Sequence, residues 1–138
     1  MECTVRWGAG MTFVAETGSN HLVTMDGAPD GGGRNLAPRP MEIVLAGTGG
    51  CTAYDVVAIL KKSGQEITGC DVKLAAERAH ADPKVFTKIH MHFTVRGKKL
   101  KRNLVEHAIR LSHEKYCSAS IMLGKTAEIT KDFEILEE

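Results

Sequence analysis

Pro40-Met41-Glu42-Ile43-Val44-Leu45-Ala46-Gly47-Thr48-Gly49-Gly50-Cys51-Thr52-Ala53-Tyr54-Asp55-Val56-Val57-Ala58-Ile59-Leu60 is an almost uninterrupted run of apolar and small residues. Two structures compete for it, a membrane span and a buried helix of a soluble protein. The 18 residues from Ile43 to Leu60 approach the length that crosses a bilayer. Gly47, Gly49, Gly50, Thr48, Thr52 and above all Asp55 oppose insertion, since a central Asp alone costs about 2.5 to 3.5 kcal/mol. The composition therefore predicts a buried helix, with no membrane. Pro38 and Pro40 stiffen its approach, Glu42 sits in the first turn near the positive end of the dipole, and Gly64 ends it. At about 1.5 Å per residue it would be about 36 Å long. It is apolar nearly all round up to Lys61-Lys62. A single domain of this size has too little sheet to enclose such a helix. The small patch Ala46, Gly47, Gly49, Gly50 and Ala53 suits close approach of another backbone, and helix-interior glycines cost roughly 1 kcal/mol each unless compensated. The expectation is a homodimer in which two copies of this helix are buried together.

The flanking sequence supplies the rest of the architecture. Short alternating stretches, Cys3 to Trp7, Met11 to Ala15 and His21 to Met25, read as hairpin strands. Asp26 to Pro40, with Asp30-Gly31-Gly32-Gly33 and three prolines, reads as a mobile loop. Beyond the helix, Val72, Leu74 and Ala76 alternate with polar or small residues, as do Ile89, Met91, Phe93 and Val95 with His90, His92, Thr94 and Arg96. This predicts a long antiparallel ribbon turning near Ala81-Asp82-Pro83-Lys84. A second amphipathic helix spans about Lys101 to Tyr116, with Leu104, Ala108, Leu111 and Tyr116 near one face. A short third helix starts around Cys117, and a strand from Ala127 to Leu136 closes the chain. The class is α+β, in one domain covering 1–138.

Charge nearly balances, with 18 Lys and Arg against 17 Asp and Glu and a formal net charge of +1. There is no electrostatic footprint for nucleic acid or an anionic membrane. Met-Glu-Cys-Thr-Val-Arg-Trp lacks a basic segment followed by an apolar stretch and a cleavage site. The expectation is a cytoplasmic protein, in which the 4 cysteines are free thiols rather than a disulfide framework.

Two of those cysteines have unlike settings. His113 and Lys115 precede Cys117, and Ser118 to Leu123 open a helix whose free amides would lower a thiol pKa. Cys51 lies mid-helix, so its activation calls for a partner from elsewhere, such as Arg34 or Arg39. Buried, inert cysteine is common, and spacing alone leaves that reading open for both. Cys3 and Cys70, at strand positions, are expected to be inert.

The segment Pro40 to Cys51, with Cys117 downstream in Tyr-Cys-Ser-Ala-Ser, resembles the OsmC/Ohr family of thiol peroxidases and is most similar to its YhfA-like branch. The resemblance covers nearly the whole chain. It implies an intertwined homodimer of long central helices wrapped by antiparallel sheets, with sites at the subunit interface. It assigns Cys51 as the thiolate that attacks an organic hydroperoxide and Cys117 as the resolving thiol. A dithiol reductant, lipoyl in the hydroperoxide-resistance branch, would restore both thiols, and no metal or flavin cofactor is required. The family pattern places an acid directly after proline, paired with an arginine of the N-terminal hairpins; here Met41 follows Pro40 and the acid is Glu42. Arg6, Arg34 and Arg39 remain for the cationic role. The candidate site is Cys51, Cys117, Glu42 and Arg39.

Other polar residues carry less. His113 and Cys117, four apart, have a metal spacing without further clustered ligands. His90 and His92 read as solvated strand residues, and Asp55 as a helix acid that either tunes the thiol or is simply hydrogen-bonded. Gly31-Gly32-Gly33 lacks the Gly-Lys-Ser or Gly-Lys-Thr of a phosphate loop. The competing function is a non-enzymatic dimer binding an apolar or sulfur-containing metabolite, or a redox sensor.

Overall fold

A computed structural model describes all residues 1–138. The chain forms two compact units, Met1–Ala46 and Gly47–Glu138. In the first, β1 (Cys3–Trp7), β2 (Phe13–Thr17) and β3 (Leu22–Met25) form an antiparallel meander in that order. Its register pairs Val5 with Ala15 and Ala15 with Val23. The glycine-rich segment that follows is irregular apart from a single 3-10 turn, Pro29–Gly31. Asp26, only 2% exposed, gathers it: one carboxylate oxygen accepts the Gly27 amide at 2.8 Å, the other the Arg34 and Leu36 amides at 3.2 and 3.1 Å. These amides, led by that of Leu36, hold the Asp26 carboxyl below its ordinary pKa. Where the loop closes on itself, a Cβ on Gly33 would collide with the Gly27 backbone, so a glycine is required there.

Helix α1 (Pro40–Lys62) starts as read from the sequence. The Glu42 carboxylate accepts the backbone N–H of Arg39 at 2.9 Å, the reach from the third helical residue to the N-cap that satisfies an otherwise orphaned amide. Past the helix, Gly64 takes φ +74°, a left-handed terminator.

The second unit builds its core on that helix. β4 (Glu66–Arg78) and β5 (Phe86–Lys98) are the predicted antiparallel ribbon, with Val72 opposite Phe93 and Leu74 opposite Met91. β6 (Glu128–Glu137) joins the other side of β5 in parallel. The sheet is therefore mixed, where antiparallel pairing throughout was expected: α2 (Arg102–Leu111) and α3 (Ser118–Leu123) carry the chain back before β6 begins. Val56 and Leu60 of α1, Ile89, Met91, Phe93 and Val95 of β5, and Val105, Ala108 and Ile109 of α2 are buried together. Val105, Ala108 and Ile109 are buried on α2, whereas Leu104 and Leu111 are half-buried and Tyr116 is exposed. Gly49 lets β4 pack close to α1: a Cβ there would stand 2.7 Å from Leu74 Cδ1 and would displace the end of that side chain. α1 has the length and apolarity of a membrane span. Thr48, Gly49, Thr52, Val56 and Leu60 are its buried residues.

Candidate active site

The helix expected over Lys101 to Tyr116 changes pitch at Ser112. Ser112–Tyr116 is a π-helical turn, closed by the Cys117 N–H donating to the Ser112 carbonyl at 2.8 Å. Insertions of this kind re-aim side chains and recur at functional sites. Here the turn presents both Ser112 and Cys117 toward α1. Cys117 then becomes the N-cap of α3: its Sγ accepts the Ser120 N–H at 3.4 Å, and Ser120 Oγ donates to the Cys117 carbonyl at 3.2 Å. Both residues are buried.

From α1 come Cys51, Thr52 and Asp55. Cys51 Sγ, Cys117 Sγ and an Asp55 carboxylate oxygen all lie within 4.8 Å of one another. Cys51 and Asp55 are partly exposed, and all four cysteines are free thiols. A polar relay fixes the carboxylate. Ser112 Oγ donates to Asp55 Oδ2 at 3.0 Å, which leaves Thr52 to donate to Ser112 Oγ across 2.8 Å. Ser112 and Thr52 are 0% and 2% exposed, so this relay is internal and its members hold one another in place.

The acidity of Cys117 departs from the local sequence reading. The helix start does supply an amide to Cys117. Its complete burial nevertheless dominates and raises the thiol pKa, and the neighbouring Cys51 raises it further against the opposing Ser120 contacts. Cys117 is thus kept as a thiol, the state suited to the second rather than the first step of a thiol cycle.

The structure brings the sequence candidates together in pairs. Cys51 meets Cys117 in the second unit; Arg39 meets Glu42 in the first, where both are exposed at the start of α1. His113 stays outside the thiol cluster. Its Nδ1 is buried without a partner, and burial, aided by the Lys131 charge, pushes its pKa down. The residues that sequence reasoning missed are Thr52 and Ser112. The spacing of Thr52 from Asp55 was visible, but the π turn that delivers Ser112 was not. Beside the cluster, Asp55, Ala58, Ile59, Lys62, Leu111 and Tyr116 line a cavity of about 340 Å³.

The family profile described as OsmC-like protein matches residues 31–131, spanning both Cys51 and Cys117. The chain belongs to the OsmC-like family. Protein YhfA of Escherichia coli (strain K12) is 46% identical over 136 residues, covering 99% of this chain and 98% of that protein. Among solved structures, a hypothetical protein from Aquifex aeolicus VF5 superimposes with a TM-score of 0.87 at 28% identity, over 99% of this chain and 96% of the other. An organic hydroperoxide resistance protein OsmC from Legionella pneumophila superimposes with a TM-score of 0.71 at 14% identity, over 96% and 95%. At that identity the likeness is one of fold. The α+β architecture with two three-stranded sheets is thus the OsmC-like one.

Proposed function

We propose that this chain is a thiol-dependent peroxidase that reduces organic or lipid hydroperoxides through a Cys51–Cys117 cycle, in defence against oxidative stress. The observation that carries the reading is the convergence of the two sulfurs and the Asp55 carboxylate within 4.8 Å, one thiol partly exposed and the other sealed.

Cys51 thiolate attacks the terminal oxygen of the hydroperoxide, the O–O bond breaks, and the departing alkoxide takes a proton to leave as an alcohol. Cys51 is then a sulfenic acid. Cys117 gives its proton to Asp55, whose orientation Ser112 maintains, and its sulfur displaces water from the sulfenic acid to form the disulfide. Two thiols have then lost two electrons and two protons to one hydroperoxide, giving one alcohol and one water. An external dithiol, such as a lipoyl dithiol, reverses the disulfide by exchange. The organic tail fits the cavity lined by Ala58, Ile59, Leu111 and Tyr116. The family resemblance assigns the cationic role to Arg39 and the acid role to Glu42, whose carboxylate accepts the Arg39 backbone N–H.

The whole chain acts as one OsmC-like domain in a cytoplasmic homodimer. Support for the dimer comes from α1, where Tyr54 is 77% exposed and neither Gly47 nor Gly50 has a neighbour within 4 Å of a built Cβ. A second α1 would cover this face.

Stopped-flow consumption of cumene hydroperoxide by the reduced protein tests the reading. Turnover should require Cys51; turnover unaffected by Cys51→Ser would reject it. The cavity also favours a second reading, a metabolite-binding dimer without turnover. Tight binding of an apolar thiol to a protein that consumes no peroxide would establish that instead.

A further inference from the structure

We infer that the reduced site is also a binding site for a thiophilic divalent ion, with Cys51 Sγ, Cys117 Sγ and an Asp55 carboxylate oxygen as its three protein ligands. The ligand atoms are already gathered within 4.8 Å of one another. A tetrahedral zinc ion, with bonds of about 2.3 Å to sulfur and about 2.0 Å to oxygen, separates its ligand atoms by about 3.3 to 3.8 Å. Small side-chain adjustments therefore suffice, and the backbone need not move.

The surroundings are those of a prepared site. Ser112 Oγ donates to Asp55 Oδ2 at 3.0 Å and holds the carboxylate, which keeps lone pairs for an ion, and Thr52 orients Ser112 in turn. The Ser120 amide points at Cys117 Sγ from 3.4 Å and stabilises negative charge on that sulfur. Outer hydrogen bonds of this sort hold ligands in register and are part of what sets affinity. Two sulfurs and one carboxylate select Zn²⁺, Cd²⁺ or Co²⁺ over Mg²⁺ and Ca²⁺, which prefer oxygen alone. Three protein ligands leave a fourth position for water. The partial exposure of Cys51 and Asp55 provides entry.

Binding has a consequence that rests on the peroxidase reading. An ion held by both sulfurs occupies the electron pair with which Cys51 would attack, and it cannot coexist with a Cys51–Cys117 disulfide. Metal and disulfide are then alternative occupants of one pair of sulfurs. The ion protects the reduced form and inhibits turnover, and oxidation excludes the ion.

The test is anaerobic titration of the reduced, full-length protein with Co²⁺, and separately Cd²⁺, following the thiolate-to-metal charge-transfer absorption. The expected result is a band saturating at one ion per chain, absent in Cys51→Ser, in Cys117→Ser and in the disulfide form. Asp55→Asn keeps both sulfurs and should weaken binding about tenfold or more. Replacing His90 and His92 together by Ala should leave the band unchanged. Absence of the band in the reduced protein would overturn the proposal, as would its persistence in Cys51→Ser or its loss on replacing His90 and His92. The readout contains no peroxide, so a failed peroxidase with an intact charge-transfer band is distinguishable from a peroxidase that binds no metal.

Discussion

Two clusters of reactive side chains in the second unit invite comparison. On the outer face of its sheet, strand register places His90, His92 and Thr94 of β5 beside Thr130, Asp132 and Glu134 of β6. Asp132 Oδ1 receives His90 Nε2 at 3.1 Å and His92 Nδ1 at 2.7 Å, while His92 Nε2 reaches Glu134 at 3.3 Å. The ladder is exposed, with the Asp132 side chain 61% accessible. The thiol cluster has fewer charges and far less solvent: Cys117, Ser112 and Ser120 are at most 1% exposed. Reactive residue types are therefore a poor guide by themselves. Water screens the ladder and satisfies its groups, so its pairs have little leverage. Around Cys117 every polar atom must be answered by the protein, and the answers set geometry and acidity.

The sharpest way to break this contrast is to remove one group from each cluster and measure hydroperoxide turnover. Cys51→Ser should lower it by at least about a thousandfold, as loss of a nucleophile does. Replacing both His90 and His92 by Ala should leave it within about twofold. A comparable loss from both would show that burial does not separate them. Next in size is Asp55→Asn, which removes the proton acceptor of the resolving step. Disulfide formation should slow about a hundredfold, the scale of general-base assistance, with sulfenic acid accumulating and the first step little changed. Single-turnover mass spectrometry with a sulfenic-acid trap reads both.

Ser112→Ala should cost about 1 to 3 kcal/mol in urea unfolding, because it strands the Thr52 hydroxyl and takes a donor from Asp55 in the interior. The smallest effect belongs to the ladder. The Asp132 and Glu134 hydrogen bonds raise the His92 pKa, while His92 and then His90 lower that of Asp132. The His92 contribution is complete below its unfolded pKa of about 6.5 and fades as pH rises through its higher folded value. The Asp132 contribution is complete above about 3.8 and fades as pH falls through its lower folded value. His92→Ala should therefore flatten a slight Tm advantage between those limits; a pH profile unchanged by the substitution would remove the ladder from the stability account.

The same contrast explains what the sequence made legible. Period-two alternation in Val72 to Ala76 and Ile89 to Val95, with the helix-opening Pro40 and Glu42, sufficed for the ribbon and the central helix, because both signals are local. The outward placement of His90 and His92 followed from the same alternation. Cys117 at a helix start was also legible, but its acidity was not. Capping is local, whereas the burial that outweighs it depends on what α1 and the sheet contribute. The π turn at Ser112 has no simple periodic signature, so the Thr52–Ser112–Asp55 relay was hidden with it. The parallel pairing of β6 likewise depends on where α2 and α3 deliver the chain, which alternation cannot register.

The central claim is that Cys51 and Cys117 form one redox pair. Reduced protein treated with one equivalent of cumene hydroperoxide, quenched by alkylation and digested, tests it by peptide mass spectrometry. The account predicts a Cys51–Cys117 disulfide, with the intact chain lighter by two hydrogens and Cys3 and Cys70 alkylated. Oxygen retained on Cys117, or a fully alkylated Cys51 after peroxide has been consumed, would contradict it.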